Sequence, residues 1–138
     1  MDINDIVLND DALAIVDAGE WMPAGEDAPG VEFLVTGMQA EGARKLMKAK
    51  QASLRLKNRG KALTDEQYSM ITKEVLVESV LKDWRGLKSG GEDLPYSQEL
   101  AKKFIMSRGG ERFTMMVLSA AQQLDSSANA FVEKVAKN

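Results

Sequence analysis

From Gln39 onward, apolar residues recur at helical spacing, and only three clusters of helix-breaking residues interrupt them. A chain punctuated in this way folds as a short series of helices joined by turns. Ala43, Leu46, Met47 and Leu54 mark the inner side of a first helix, whose remaining surface carries Arg44, Lys45, Lys48 and Arg55. Asn58 to Gly60 supplies its stop. In "TDEQ", Thr64 can accept a backbone N–H at a helix start while Gln67 returns the bond, the reciprocal arrangement of a capping box. The second helix is expected to run to about Trp84, with Met70, Val77, Leu81 and Trp84 on one stripe and Tyr68, Ile71 and Val75 on another. Apolar groups on two sides predict a central, largely enclosed helix.

"RGLKSGGEDLPY" then breaks the period. Pro95 biases Leu94 away from helical geometry, and Ser97 is a cap for the next helix, whose inner face is Leu100, Ala101, Phe104 and Ile105. Gly109 and Gly110 divide it from Phe113, Met116, Val117, Ala120 and Leu124, and Phe131, Val132 and Val135 suggest a final short helix with Lys134 and Lys137 near its negative end. The first 37 residues read differently. "EWM" and "VEFLVTG" are strand candidates, the second placing Val31, Phe33 and Val35 on one face, and "PAGEDAPG" between them favours a loop. Ala12 to Ala18 is compatible with a helical turn or a strand. Two strands alone are marginal, so the hairpin must pack on the helices. The expected fold is α+β, mainly α: an acidic segment with a small β-hairpin over residues 1–37, packed on a helical domain of about five helices over residues 38–138.

Composition narrows the function. The chain has no cysteine, which removes disulfides, thiol nucleophiles and thiolate metal sites, and no histidine, which removes the usual near-neutral base and the commonest metal ligand. Ser-His-Asp and Cys-His centres cannot be assembled from it. A non-enzymatic protein without a cofactor is the expectation. No apolar run is long enough for a membrane span, and the acidic start lacks the basic region of a secretory signal, so the cytoplasm is the expected compartment.

Charge is segregated along the chain. Residues 1–43 hold ten carboxylates and no Lys or Arg, whereas residues 44–61 hold eight cations and no carboxylate. The basic stretch, with Arg44, Lys45 and Lys48 at its head, reads as a solvated face, as a contact for acidic protein surface including the chain's own amino-terminal region, or as a nucleic-acid contact; the acidity of the remainder disfavours the last. The carboxylate pairs Asp10/Asp11, Glu26/Asp27, Asp65/Glu66 and Glu92/Asp93 read as caps and turns, because neighbours in sequence diverge in space. "SGG" and "RGG" lack the lysine-bearing pattern of a phosphate loop and read as turns. Met115 and Met116 point in different directions on one helix, which suits either core filling or an adaptable helix-binding surface. Trp84 and Tyr96 bracket the broken stretch, either clamping it or forming an interface edge.

At these residues the chain resembles a known group. "VLKDWRGLKSGGEDLPYSQELAKKFI" resembles the tail assembly chaperones of long, flexible-tailed, lambda-like bacteriophages, in which a Trp-Xaa-Gly-Leu unit precedes a Gly-Xaa-Xaa-Leu-Pro-Tyr-Ser/Thr turn and a helix. The matching positions are Trp84, Gly86, Leu87, Gly91, Leu94, Pro95, Tyr96 and Ser97, joined upstream by Gly19, Trp21, Val31, Phe33 and Gly37.

The resemblance implies a factor that binds the tape measure protein, a very long helical polypeptide, and keeps it soluble in the host cytoplasm while tail tube subunits polymerise. It also implies absence from the mature virion. In many such proteins a programmed frameshift makes a longer form that recruits the tail tube protein. Phe104, Met115 and Met116 are the expected client face, with Arg44, Lys45 and Lys48 steering and Trp84 and Tyr96 at the edge. Self-association through the carboxy-terminal helices is left open. The competing readings are a structural tail component, such as a terminator or connector subunit, and a nucleic-acid-binding regulator.

Overall fold

The computed structural model describes residues 1–137, with side chains to Lys134. Five helices carry the fold: α1 (Asp10–Ala18), α2 (Glu41–Lys57), α3 (Asp65–Val75), α4 (Gln98–Met106) and α5 (Glu111–Lys137). Strands β1 (Glu20–Pro23), β2 (Glu32–Val35) and β3 (Leu81–Arg85) form an antiparallel sheet in the order β1-β2-β3, and β4 (Lys88–Ser89) pairs with β5 (Glu92–Asp93) in a separate exposed hairpin. The architecture is the expected one, a β-hairpin and its sheet packed against a helical bundle.

The local signals explain most boundaries. Thr64 Oγ1 accepts the Gln67 N–H at 3.1 Å and the Gln67 side chain accepts the Thr64 N–H at 2.9 Å, so the capping box forms. Gln67 also exchanges side-chain hydrogen bonds with Asn58, tying the start of α3 to the end of α2. Ser97 accepts the Leu100 N–H and starts α4, which buries Ala101 and Ile105 and half-buries Leu100 and Phe104. Asn9 caps α1, which settles the Ala12 to Ala18 stretch as helix. Ala12 and Val16 on α1 are fully buried, as are Ala121, Leu124 and Ala128 on α5, the helix that α1 packs against.

Three expectations are corrected. The second helix does not reach Trp84. α3 ends at Val75, widens into a π-helical turn at Leu76–Val80, and gives way to β3. Leu81 and Trp84 are three residues apart and both buried, a helical spacing, yet they lie on a strand. The reason is a register shift. Phe33 pairs with Trp84, Leu34 with Asp83 and Val35 with Leu81, leaving Lys82 as the extra residue of a bulge that lets positions 81 and 84 face inward together.

Nor is α3 enclosed on two sides, since Ile71 and Val75 are buried but Tyr68 and Met70 are exposed. The stripes that suggested enclosure joined α3 to buried residues of the π turn and β3. Finally, the closing helix is continuous with α5. Ser126 and Ser127 return their hydroxyl groups to the Gln123 carbonyl, which accommodates two poor helix formers inside a helix held by buried Leu124 and Ala128. The side chains of Val135 and Lys137 lie outside the described residues.

The core centres on aromatic rings from every layer. Phe33 (β2), Trp84 (β3), Phe104 (α4) and Phe113 (α5) meet with centroids 5.6 to 6.1 Å apart, and Tyr96 closes edge-on against Trp84 at 5.0 Å. Rings at such separations add to the large area that each buries. On the outer side of the sheet the Arg85 guanidinium lies 4.1 Å from the Trp21 ring centre while its Nε donates to Glu32.

Trp84→Ala should lower the unfolding free energy by about 3–5 kcal/mol, a size typical of deleting a buried large aromatic. Trp84→Phe should cost less while still losing the indole N–H. Urea unfolding of both variants checks the order, and an equal, negligible effect would remove the cluster from the centre of the core.

Candidate functional site

The residues from Trp84 to Ser97, the larger part of the tail-chaperone resemblance, form one mechanical unit. The Trp84 indole N–H donates to the Leu94 carbonyl at 2.7 Å, and the Tyr96 hydroxyl donates to the Leu81 carbonyl at 3.3 Å. The segment between them is a hairpin turned by Gly90 and Gly91, both at positive φ, as a two-residue connection requires. Leu94 N–H donates to the Leu87 carbonyl and closes its base. Gly86, at φ +84°, sits where a Cβ would run into the Gly30 carbonyl, so the β1–β2 connection and the chain leaving β3 approach by backbone alone. Burial places the Tyr96 phenol above the ordinary tyrosine pKa, with nearby Asp83 adding to the effect.

Trp84, Tyr96 and Phe104 are thus brought together, but inside. Trp84 is only 4 % exposed, which makes it the clamp of the loop and denies it a partner contact in this fold. Phe104 is half-buried between Trp84 and Phe113.

Met115 and Met116 lie elsewhere. They line an open depression with Arg112 and Ser119 of α5 and the β1–β2 tip, Ala24 to Asp27. Met115 is 55 % exposed, whereas Met116 is half-buried and packs against the core. Phe104 does not line this depression. Glu26 and Asp27 give its rim a negative edge.

The basic residues mark a third region. Arg44, Lys45 and Lys48 stand on the exposed side of α2 and border a shallow groove with Leu13 and Asp17 of α1. The groove continues through Leu13, Gln39 and Arg44 to Ile6, Leu8 and Asp125. Lys45 is paired with Glu41 at 2.8 Å, whereas Arg44 and Lys48 form no ion pair among the described residues. Lys50, on the inner side of the same helix, lies between Glu74 and Glu78 at 3.1 and 2.8 Å; its hydrogen bond to Glu78 outweighs burial and raises its pKa.

Two carboxylates that the sequence reading did not single out hold this region in place. The residue preceding α2 is Ala40, which offers no cap, and Asp17 of α1 accepts the Glu41 N–H at 2.9 Å in its stead. Asp125 of α5 accepts the N–H groups of Met38 and Gln39 at 2.9 and 3.1 Å. A Cβ at Gly37 would fall within the Asp125 carboxylate and against Val16, so the turn fits only with glycine there. No local spacing betrays these contacts, which join residues 24 and 86 to 87 apart.

Among the described residues no three His, Cys, Asp or Glu side chains converge as a metal site, and no helix is long and apolar enough to cross a membrane. The surface carries several open depressions with charged borders.

Gly37→Ala should destabilise the fold by about 1–3 kcal/mol, the usual cost of forcing extra volume into a filled site; thermal or urea unfolding measures it. Asp125 supplies a pH test. Burial, the dominant influence, raises its pKa above the ordinary value of 3.8, against the lowering effect of the two N–H donors. A folded pKa above the unfolded one means a contribution present at low pH and lost as pH rises through the folded value. The stability of the wild-type chain relative to Asp125→Asn should therefore fall as pH rises from below 3.8 to above the raised pKa, then level off. A difference that is flat or rising over that window would exclude this balance.

Neither the curated proteins nor the solved structures contain a match to the chain. A family described as YdaY prophage protein matches residues 38–138, which takes in α2 to α5 with β3 and the clamped hairpin between them. A match over well more than half of the sequence shows the family: this chain is a phage-associated protein and belongs to the YdaY prophage proteins.

Proposed function

We propose that the protein is a tail assembly chaperone, a non-enzymatic factor that binds the tape measure protein in the host cytoplasm. It keeps that client soluble during tail tube polymerisation and is left out of the virion. The observation that carries the reading is the clamp from Trp84 to Ser97: among the residues that resemble those of tail chaperones, the indole and phenol hydrogen bonds tie β3 to the segment that leads into α4, while the Trp84 ring packs on Phe104 of α4 and Phe113 of α5. A phage family supports the same direction.

The physical task suits this surface. A long helical client exposes repeated apolar stripes until the tube closes around it. Met115, outward on α5 beside half-buried Met116, offers a polarizable contact that adapts to varied helices. Arg44, Lys45 and Lys48 supply long-range attraction for acidic stretches of the client. Contacts of this kind are individually weak, so arriving tube subunits displace the chaperone without an energy source. A longer frameshifted form would bring the tail tube protein to the same complex.

Co-expression with the tape measure protein of the same phage tests the reading. Met115→Glu should lower the soluble client fraction several-fold while changing the chaperone's own stability by no more than about 0.5 kcal/mol, as expected of an exposed position. Unchanged client solubility would move the contact away from Met115. Mass spectrometry of purified virions should find no copy of the chain; stoichiometric amounts there would favour a structural tail component.

A further inference from the structure

The charge segregation of the sequence survives folding. Between the acidic stretch 1–43 and the basic stretch 44–61, Glu41 with Lys45 is the one ion pair among the described residues. Lys50 is satisfied by α3 and the π turn, and Glu32 by Arg85. Arg44, Lys48 and Arg55 are all exposed, and their spacing of four and seven residues sets them along one side of α2. Exposed Ala52 lies between the last two, and nearby Leu56 is 82 % exposed. The helix thus presents a basic ridge with apolar gaps.

The segment preceding α1 has the opposite character. It carries Asp2 and Asp5 together with Ile3, Ile6 and Val7, whose exposures are 63, 60 and 56 %. A 3₁₀ turn at Ile3–Asp5 shapes it, and the Asn129 side-chain amide fastens it to α5 by donating to the Asn4 and Val7 carbonyls. It is therefore held in place with its apolar and acidic groups uncovered.

We propose that this segment of one copy docks on the basic ridge of α2 of a second copy, forming a two-fold dimer. The two surfaces are complementary in charge, and each offers apolar groups for the other to cover. Their placement makes the contact reciprocal. Ile6 and Arg44 border the same depression, so a two-fold axis through it brings each segment onto the other copy's helix. A polyanionic nucleic acid fits less well, because Asp17 and Glu41 border the same groove and the ridge offers no aromatic ring for a base. The dimer does not depend on the chaperone reading.

Sedimentation of the full chain tests it. A concentration-dependent dimer is expected that weakens between about 0.05 M and about 1 M salt, as the screening length falls to about 3 Å. Arg44→Glu with Lys48→Glu should raise the dissociation constant about tenfold or more, and Asp2→Lys with Asp5→Lys should do the same. All four positions are exposed, and circular dichroism verifies that each variant is folded. Mixing the two weakened variants should restore a one-to-one dimer, because both contacts are then again between opposite charges. A chain that stays monomeric, a dimer indifferent to both sets of changes, or a mixture that does not recover would each overturn the proposal. So would a monomer in which the α2 changes instead abolish binding to an acidic peptide or to DNA.

Discussion

The fold depends on the Trp84 ring and what surrounds it. One indole touches Phe104 of α4, Phe113 of α5 and Tyr96 of the connecting segment, and its strand neighbour across the sheet is Phe33. Its N–H ends on the Leu94 carbonyl, so a buried polar atom is satisfied and a loop is closed by the same bond. Removing the ring would unseat the sheet, the exposed hairpin and both carboxy-terminal helices together. That interlock lets a chain of this size keep open depressions on its surface, because the rigidity lies beneath them.

Electrostatics organises the other half of the molecule. Asp17 and Asp125 are spent on backbone N–H groups that bring the chain from the sheet into α2, where no local cap exists. Once α2 is set, its cations face outward with few internal partners, and the acidic amino-terminal segment faces outward nearby. Folding has therefore kept the opposite charges of the two stretches available for contacts between molecules.

Much of the architecture was legible from residue order. The capping box at Thr64 and Gln67, the Ser97 cap, the stop at Asn58 to Gly60 and the hairpin around "PAGEDAPG" are local devices, and each formed as its chemistry dictates. The candidate site was less legible. Residue order told only that one small core need not bury both Met115 and Met116, not which of them is exposed, and it marked Arg44 and Lys48 as surface cations. Trp84 was ambiguous because a large amphipathic ring suits a clamp and an interface equally well, and only its neighbours decide. Asp17 and Asp125 gave no signal at all, since a carboxylate that caps a distant backbone looks like any surface acid.

By itself, the sequence determined the starts of α3 and α4 and the stop of α2, that a hairpin precedes the helices, and that positive and negative charge occupy separate stretches, because these follow from neighbours a few residues apart. Tertiary structure alone decided that residues 81–85 join the sheet as a third strand, that α5 continues through Ser126 and Ser127, and that Asp125 grips the turn before α2. Each of those outcomes is set by pairing or packing across long sequence separations. A bulged strand whose inward residues are three apart carries the period of a helix, and only the partner strand distinguishes the two.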